Sequence, residues 1–368
     1  MMISTEQEFI SLIDRALGTD SVGIDTEFIW ERTYYPRLGL IQIALSDEDC
    51  QLIDPLAVED LTPLGRLLGD FSVVKILHDA PQDLAILSRV TGVIPQNIFD
   101  TRIAAGFSGL SSTTSLVRLM DVLLDIDLPK TETRTNWLKR PLDHSQVDYA
   151  LDDVRYLRAL RVLLLARIID PQVESWLSEE LQNLSMPEMY DPIDDRTRFL
   201  KIKGSSSLDR RGLAILRELA SLREQEAQSL DRPRGHIFTD KALLKISREK
   251  PTSKRHLAEL DALSPKKLKR YNDAIVIAVR QAMTLDDNDL PQSNRRIRLN
   301  AKEKAFYGQM MNYLEATCAS RGIDAQLIGN NSELKQLIKN RARGNRHLPV
   351  KFMDGWRNSL LNDFFQQH

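Results

Sequence analysis

Five side chains in the first half of the chain have the types and spacing needed for metal-assisted phosphoryl chemistry. In Ile24-Asp-Thr-Glu-Phe28 two carboxylates stand two residues apart, and on a strand that spacing sends Asp25 and Glu27 out of the same face. The flanking Ile24 and Phe28 are apolar, and paired carboxylates that lose hydration repel each other unless a cation compensates them. An exposed acidic pair needs no such partner, and the motif alone leaves both readings open. In His78-Asp-Ala-Pro-Gln-Asp-Leu84, Asp79 stands where a helix cap is expected. Asp83 follows in the first turns of that helix, near the strand end where α/β active sites collect. In Tyr149-Ala-Leu-Asp-Asp153, Tyr149 and Asp153 share one helix face at i and i+4.

Asp25, Glu27, Asp83 and Asp153 together make an all-oxygen donor set that suits two Mg²⁺ or Mn²⁺ ions and lacks the His and Cys that zinc favours. That is the inventory for two-metal hydrolysis of a phosphodiester, the ions on the order of 4 Å apart. Tyr149 is then placed to hold the attacking water.

These residues need a rigid frame, and the flanking pattern supplies one. After a short first helix, strands are expected over 21–28, 38–45 and 50–53, followed by a helix over 60–68, a strand over 73–77 and a helix opening at Pro81. The order βββαβα is that of a mixed-sheet α/β domain. Asp143-His-Ser-Gln146 has the form of a capping box and introduces one long amphipathic helix through Tyr149, Leu151, Val154, Leu157, Leu160 and Leu164.

Residues 171–206 mix Met186-Pro, Asp191-Pro and Gly-Ser-Ser-Ser, and read as a connecting region. Beyond them the chain is helical and weakly repeated. Thr239–Ile246 lines up with Asn330–Leu337, and Lys267–Ile275 with Phe352–Leu360. Chance similarity of two amphipathic stretches is the plain alternative. The expected domains are therefore an α/β domain over 1–170, the connector over 171–206, and two small all-α bundles over 207–288 and 289–368.

The formal net charge of the 368 residues is −2, and it hides a division. Residues 1–195 hold 16 of the 50 Lys and Arg and 33 of the 52 Asp and Glu, a net of −17; residues 196–368 carry +15. An acidic part able to collect cations is joined to a basic part suited to a polyanion. Two distant cysteines, Cys50 and Cys318, offer no disulfide framework or CxxC site, and point to a reducing cytoplasm. The N-terminal segment lacks a signal-peptide pattern, and no apolar run approaches a membrane span.

Taken in order and spacing, the motifs resemble those of the ribonuclease D family, 3′–5′ exoribonucleases of the DEDD superfamily in its tyrosine subgroup. The resemblance rests on Gly23-Ile-Asp25-Thr-Glu27-Phe28, on Arg32-Thr-Tyr-Tyr-Pro-Arg-Leu-Gly-Leu-Ile-Gln42, on His78 to Leu84 and on Tyr149-x-x-x-Asp153. Arg134-Thr-Asn-Trp137-Leu-Lys-Arg-Pro141 resembles a further family loop, and the likeness covers essentially the whole chain. It implies a ribonuclease H-like fold for roughly 1–170 and two helical domains of the helicase-and-ribonuclease-D type.

The resemblance also implies that Asp25, Glu27 and Asp153 ligate metal, Asp25 bridging two ions, with Asp83 acting on the second directly or through water. The histidine subgroup needs His five residues before the last Asp, and position 148 is Asp; His144 reads as a helix-start residue. Asp152 and Asp79 are spare carboxylates that leave the choice at each motif open. Thr26, Phe28, His78 and Trp137 are implied substrate contacts, with a packing anchor as the alternative for Trp137. The implied substrates are tRNA precursors and small structured RNAs with a free 3′ end, trimmed by a monomer that releases nucleoside 5′-monophosphates.

Lys266-Lys-Leu-Lys-Arg270, Arg295-Arg-Ile-Arg298 and Arg341-Ala-Arg-Gly-Asn-Arg346 supply sequence-independent phosphate contacts. Tyr271 and Trp356 continue apolar helical patterns and read as core rather than stacking platforms. A DNA 3′–5′ exonuclease would use the same four carboxylates, but helicase and polymerase motifs are absent. A catalytically silent nucleic-acid-binding protein would not need all four.

Overall fold

The computed structural model describes residues 2–128, 135–190, 195–291, 297–342 and 350–367. Contacts gather these residues into two compact units. One comprises Met1–Ile29, Leu38–Tyr190 and Ile297–His368; the other comprises Trp30–Arg37 and Asp191–Arg296.

The first unit opens with strand β1 (Met2–Ile3) and helix α1 (Glu6–Leu17). Thr5 caps α1, and Phe9, Leu12, Ile13 and Ala16 form its buried stripe at helical spacing. Strands β2 (Ser21–Ile29), β3 (Arg37–Ala44) and β4 (Cys50–Ile53) follow, then α2 (Thr62–Leu68), β5 (Val74–Leu77), α3 (Pro81–Thr91), β6 (Ile98–Asp100), α4 (Thr101–Phe107) and α5 (Leu116–Leu124). The sheet order is β1-β4-β3-β2-β5-β6, so the expected mixed α/β arrangement is present. Two very short strands, β1 and β6, join those that periodicity indicates; two or three residues are too few for a period to register.

β2 lies inside the sheet, between β3 and β5. It runs parallel to β5 with Ser21 beside Val74 and Gly23 beside Ile76, so the chain leaving β5 emerges next to Asp25. The long helix expected over 149–164 is two helices, α6 (His144–Arg155) and α7 (Leu157–Ala166), because the helical ladder breaks at Tyr156. The capping box is formed: the Asp143 N–H donates to Gln146 Oε1 at 2.9 Å. Within the stretch read as a connector, α8 (Pro171–Gln182) is a capped amphipathic helix that buries Val173, Trp176 and Leu177.

The second unit is built on α9 (Arg210–Ser229), against which α10 (Arg234–Ile237), α11 (Asp240–Glu249) and α13 (Pro265–Met283) gather, while α12 (Lys254–Glu259) packs on α13. Its core holds Leu213, Leu216, Leu219, Ile246, Ile275 and Val279, together with Tyr34 from the segment between β2 and β3. Tyr271 is buried here and its hydroxyl donates to Glu226 at 3.0 Å, a core role.

The last helices, α14 (Ala301–Ser320), α15 (Asn331–Ala342) and α16 (Gly355–Gln367), belong to the first unit. They share one apolar cluster with the α/β elements: Phe99, Phe107, Leu157 and Trp176 join Met310, Leu337, Trp356 and Phe364. Trp356 stacks on Trp176 at 5.9 Å between ring centres and meets Phe107 edge-on at 5.3 Å. Arg357 grips Glu180 with two hydrogen bonds of 2.6 and 2.7 Å, and the Trp356 indole N–H donates to the same carboxylate at 3.1 Å.

Several arginines of this basic part are engaged within the protein. Fully buried Glu224 pairs with Arg198 at 3.1 Å and Arg234 at 2.6 Å, and Arg223 pairs with Asp240 at 2.6 Å. Lys266, Lys267 and Lys269 on α13 have no ionic partner among the described residues. Arg295, Arg296 and 343–346 of the other two clusters lie outside the described residues. Among the described residues no helix is long and apolar enough to cross a membrane.

Replacing Trp356, 1% exposed, by Ala should lower the stability of the first unit by about 3–5 kcal/mol through the cavity it leaves. Urea unfolding checks this; a loss within about 0.5 kcal/mol would show that the last helices do not share the α/β core.

Candidate active site

Strand geometry does what the spacing promises: Asp25 and Glu27 leave one face of β2, and Asp153 reaches them from α6. One oxygen of each lies within 4.8 Å of the others. The approach of α6 depends on Gly23, since a Cβ there would stand 2.8 Å from the Val154 carbonyl oxygen. Tyr149, one turn before Asp153, brings its hydroxyl to the side of the Asp153 carboxylate. Asp152 is not in the cluster; it lies 3.7 Å from Arg155 on its own helix.

Asp83 is buried at the start of α3 and accepts a hydrogen bond from the hydroxyl of Thr26, the residue between the two β2 carboxylates. Thr26 is itself buried, so its hydroxyl is committed to Asp83. Asp79 does not cap α3, contrary to expectation. It takes the left-handed conformation at φ 60°, turns outward and pairs with Arg102. The start of α3 is served by Asp100 at the end of β6, which accepts from the N–H groups of Asp79 at 3.2 Å and Ala80 at 2.9 Å. The same carboxylate caps α4 through the N–H groups of Arg102 and Ile103.

Burial first, and then the mutual repulsion of the carboxylates, sets the electrostatics. Asp25 is held well above the ordinary carboxylate range by burial and by Asp83, Asp153 and Glu27. Burial beside Asp153 and Asp83 pushes Glu27 up to about 9. Burial raises Asp153 to about 7 against the opposing hydrogen bond from Tyr149, and Asp83 to about 6 against that from Thr26. The Tyr149 phenol is driven above its usual range by burial and then by the three carboxylates, so it stays protonated near neutrality. No Lys or Arg among the described residues neutralises Asp25, Glu27 or Asp153. Half-buried, all-oxygen donors with no Lys or Arg partner among the described residues fit a hard divalent cation.

The other expected contacts have different surroundings. Trp137 is 3% exposed; its carbonyl and Cβ fill the space a Gly39 side chain would take, and its ring lies 6.2 Å from that of Tyr149. It packs beneath the phenol. Arg140 fastens its loop with bonds to Asp54 at 2.7 and 2.6 Å and to the Trp137 carbonyl at 2.8 Å; Arg134 of that loop lies outside the described residues. His78 hydrogen-bonds through Nδ1 to the Thr101 hydroxyl at 2.9 Å, and burial lowers it to about 4, so it is neutral. Phe28 is half-buried on β2. Sequence reading missed Asp100, although Asp100-Thr-Arg directly after a β-rich triplet is a cap signal.

Fold and site together define a metal-dependent 3′–5′ exonuclease. A family model described as 3′–5′ exonuclease matches residues 1–169, and one described as the HRDC domain matches 212–279. Ribonuclease D of Desulfotalea psychrophila is 50% identical over 368 residues, covering 100% of this chain and 98% of that protein. Ribonuclease D of Escherichia coli is 29% identical over 366 residues, covering 98% and 96%. The crystal structure of Escherichia coli RNase D, an exoribonuclease involved in structured RNA processing, matches with a TM-score of 0.84 at 28% identity, covering 100% of this chain and 99% of that one. The chain belongs to the ribonuclease D family, and its activity is that of a 3′–5′ exoribonuclease using a divalent metal.

Carboxyl groups with raised folded-state values favour folding below the unfolded value and lose that contribution as pH rises through the folded one. In EDTA the melting temperature should therefore fall between about pH 5 and 9 as Asp83, Asp153 and Glu27 ionise, and the increase produced by Mg²⁺ should grow over the same range. Scanning calorimetry with and without Mg²⁺ checks this. A pH-independent Mg²⁺ effect, or one retained in full by Asp25→Asn, would contradict the assignment.

Proposed function

We propose that the protein trims the 3′ ends of structured RNAs such as tRNA precursors one nucleotide at a time, releasing nucleoside 5′-monophosphates. The convergence of Asp25, Glu27 and Asp153 within 4.8 Å, with no Lys or Arg among the described residues to neutralise them, carries the reading. Relatives bearing the name Ribonuclease D, and the description of the Escherichia coli protein as acting in structured RNA processing, support the RNA class.

Asp25, Glu27, Asp153 and, behind them, Asp83 would hold two Mg²⁺ or Mn²⁺ ions. Such ions, when bound, neutralise the carboxylates, activate water for attack on phosphorus and stabilise the departing 3′ oxygen. The side chains do the rest. The Thr26 hydroxyl ties one oxygen of Asp83 and leaves the other available. Tyr149 remains a phenol, so it orients a water by hydrogen bonding through its oxygen and does not act as a base. Trp137 beneath it limits its tilt. Phe28 and His78 remain candidate substrate contacts at the ends of β2 and β5.

The unpaired Lys266, Lys267 and Lys269 supply phosphate contacts to the body of the RNA. The two free cysteines are compatible with work in the cytoplasm, and we read the protein as a monomer.

A 5′-labelled tRNA carrying a 3′ extension, incubated with Mg²⁺ or EDTA beside a matched DNA and a 3′-phosphate-blocked RNA, tests the reading. One-nucleotide ladders are expected only from unblocked RNA with metal. Asp25→Asn and Asp153→Asn should each lower turnover by at least about 10³-fold while leaving RNA affinity within about twofold. Preferential degradation of DNA, or normal turnover by both variants, would sink it. Tyr149→Phe should lower kcat by about 10²-fold with KM little changed.

A further inference from the structure

Directly after the strand that carries Asp25 and Glu27, the chain makes an excursion, Trp30–Arg37, that belongs to the second unit. Its middle is heavily anchored. Tyr34 is buried, its hydroxyl bonded to Glu224 at 2.9 Å, Gln228 at 3.1 Å and Arg234 at 3.1 Å, with the Arg234 guanidinium 4.6 Å over its ring. The Tyr34 and Tyr35 N–H groups both donate to Asp231, at 3.0 and 3.1 Å.

The ends of the excursion are different in character. Trp30 is 48% exposed, whereas Trp137, Trp176 and Trp356 are buried. Its indole N–H is fixed to the Tyr34 carbonyl at 2.7 Å, which holds the ring by one edge and leaves the rest of it accessible. Arg32 and Arg37 are exposed without an ionic partner among the described residues; Glu31 between them and Trp30 is the one acidic group of the excursion. A rigidly held, exposed aromatic ring followed by two uncommitted guanidinium groups has the composition of a single-strand nucleic-acid platform.

Resting on the reading above that RNA is the substrate, we infer that Trp30 stacks on a base of a single-stranded segment of it, while Arg32 and Arg37 hold the adjoining phosphates. Trp30 follows Glu27 by three positions, so their Cα atoms lie within about 11 Å of each other. Tyr34 is a positioning residue, since it touches the loop and not the RNA. Stacking is indifferent to base identity, as an enzyme that removes every nucleotide in turn requires.

The test separates binding from cutting. Affinity for a short unstructured RNA bearing 2-aminopurine near its 3′ end is measured by anisotropy and fluorescence in EDTA, where nothing is cut. Trp30→Ala should weaken binding on the order of tenfold and relieve the quenching of 2-aminopurine, and Trp30→Phe should keep most of both. Arg32→Ala with Arg37→Ala should lessen the slope of log affinity against log salt by about 1.4. With Mg²⁺, KM should rise in these variants while kcat stays within about twofold. Unchanged affinity and quenching in Trp30→Ala would overturn the inference even if the wild type cuts RNA. Equal losses in Trp30→Ala and Trp30→Phe would also overturn it, by showing that the indole N–H matters for the loop and the ring does not matter for the base. A wild type that binds as expected and fails to cut would instead overturn the assignment of the acidic cluster.

Discussion

Repulsion among buried carboxylates is the constraint around which the first unit is arranged. Left to themselves, Asp25, Glu27 and Asp153 would separate or protonate, because each loses water and faces like charge. They stay together because the scaffold is stiffer than the force between them. β2 is bonded on both sides, α6 is seated against it where Gly23 leaves room, and Asp83 is tethered by Thr26. A site held open in this way is ready for a cation before one arrives, and the folded chain carries the electrostatic cost until then.

How much of this was legible in the sequence depended on how local the cause was. Alternation and spacing located β2, β3, β4 and β5, the opening of α3 at Pro81 and the capping box before Tyr149, since each is decided within a few residues. Spacing left a spare carboxylate beside Asp153 and beside Asp83, and it is the fold that turns Asp152 to Arg155 and Asp79 to Arg102. What escaped was decided at long range. Asp79 loses the cap to Asp100, twenty-one residues later, because only the fold brings the end of β6 under the start of α3. Thr26 points to a carboxylate 57 residues away, a partner no spacing rule proposes. The break at Tyr156 carries no Gly or Pro to announce it.

Charge was the least transferable part of the reading. Clusters of bases read along 196–368 do not show which are free, and Arg198, Arg223, Arg234 and Arg357 are all engaged with Glu224, Asp240 or Glu180 in their own units. Arginine serves this internal work because its planar fork satisfies a buried carboxylate from two directions. The lysines of α13, whose compact charges stay hydrated, are the ones left to the solvent. Composition therefore pointed to the right ligand class and overstated how many side chains serve it.

The shared apolar cluster has a consequence for how the chain comes off the ribosome. Phe352, Trp356 and Phe364, translated long after Phe99 and Leu157, pack in the same core with them. At synthesis rates of about 5–20 residues per second, the α/β portion waits on the order of ten seconds or more for the side chains that complete it. During that interval the surface around Trp176 and Phe107 lacks its cover, and α7, which continues from the helix bearing Asp153, lacks part of its packing. An enzyme that degrades RNA thus completes the core of its catalytic unit only after the helices beyond Asn300 have been made.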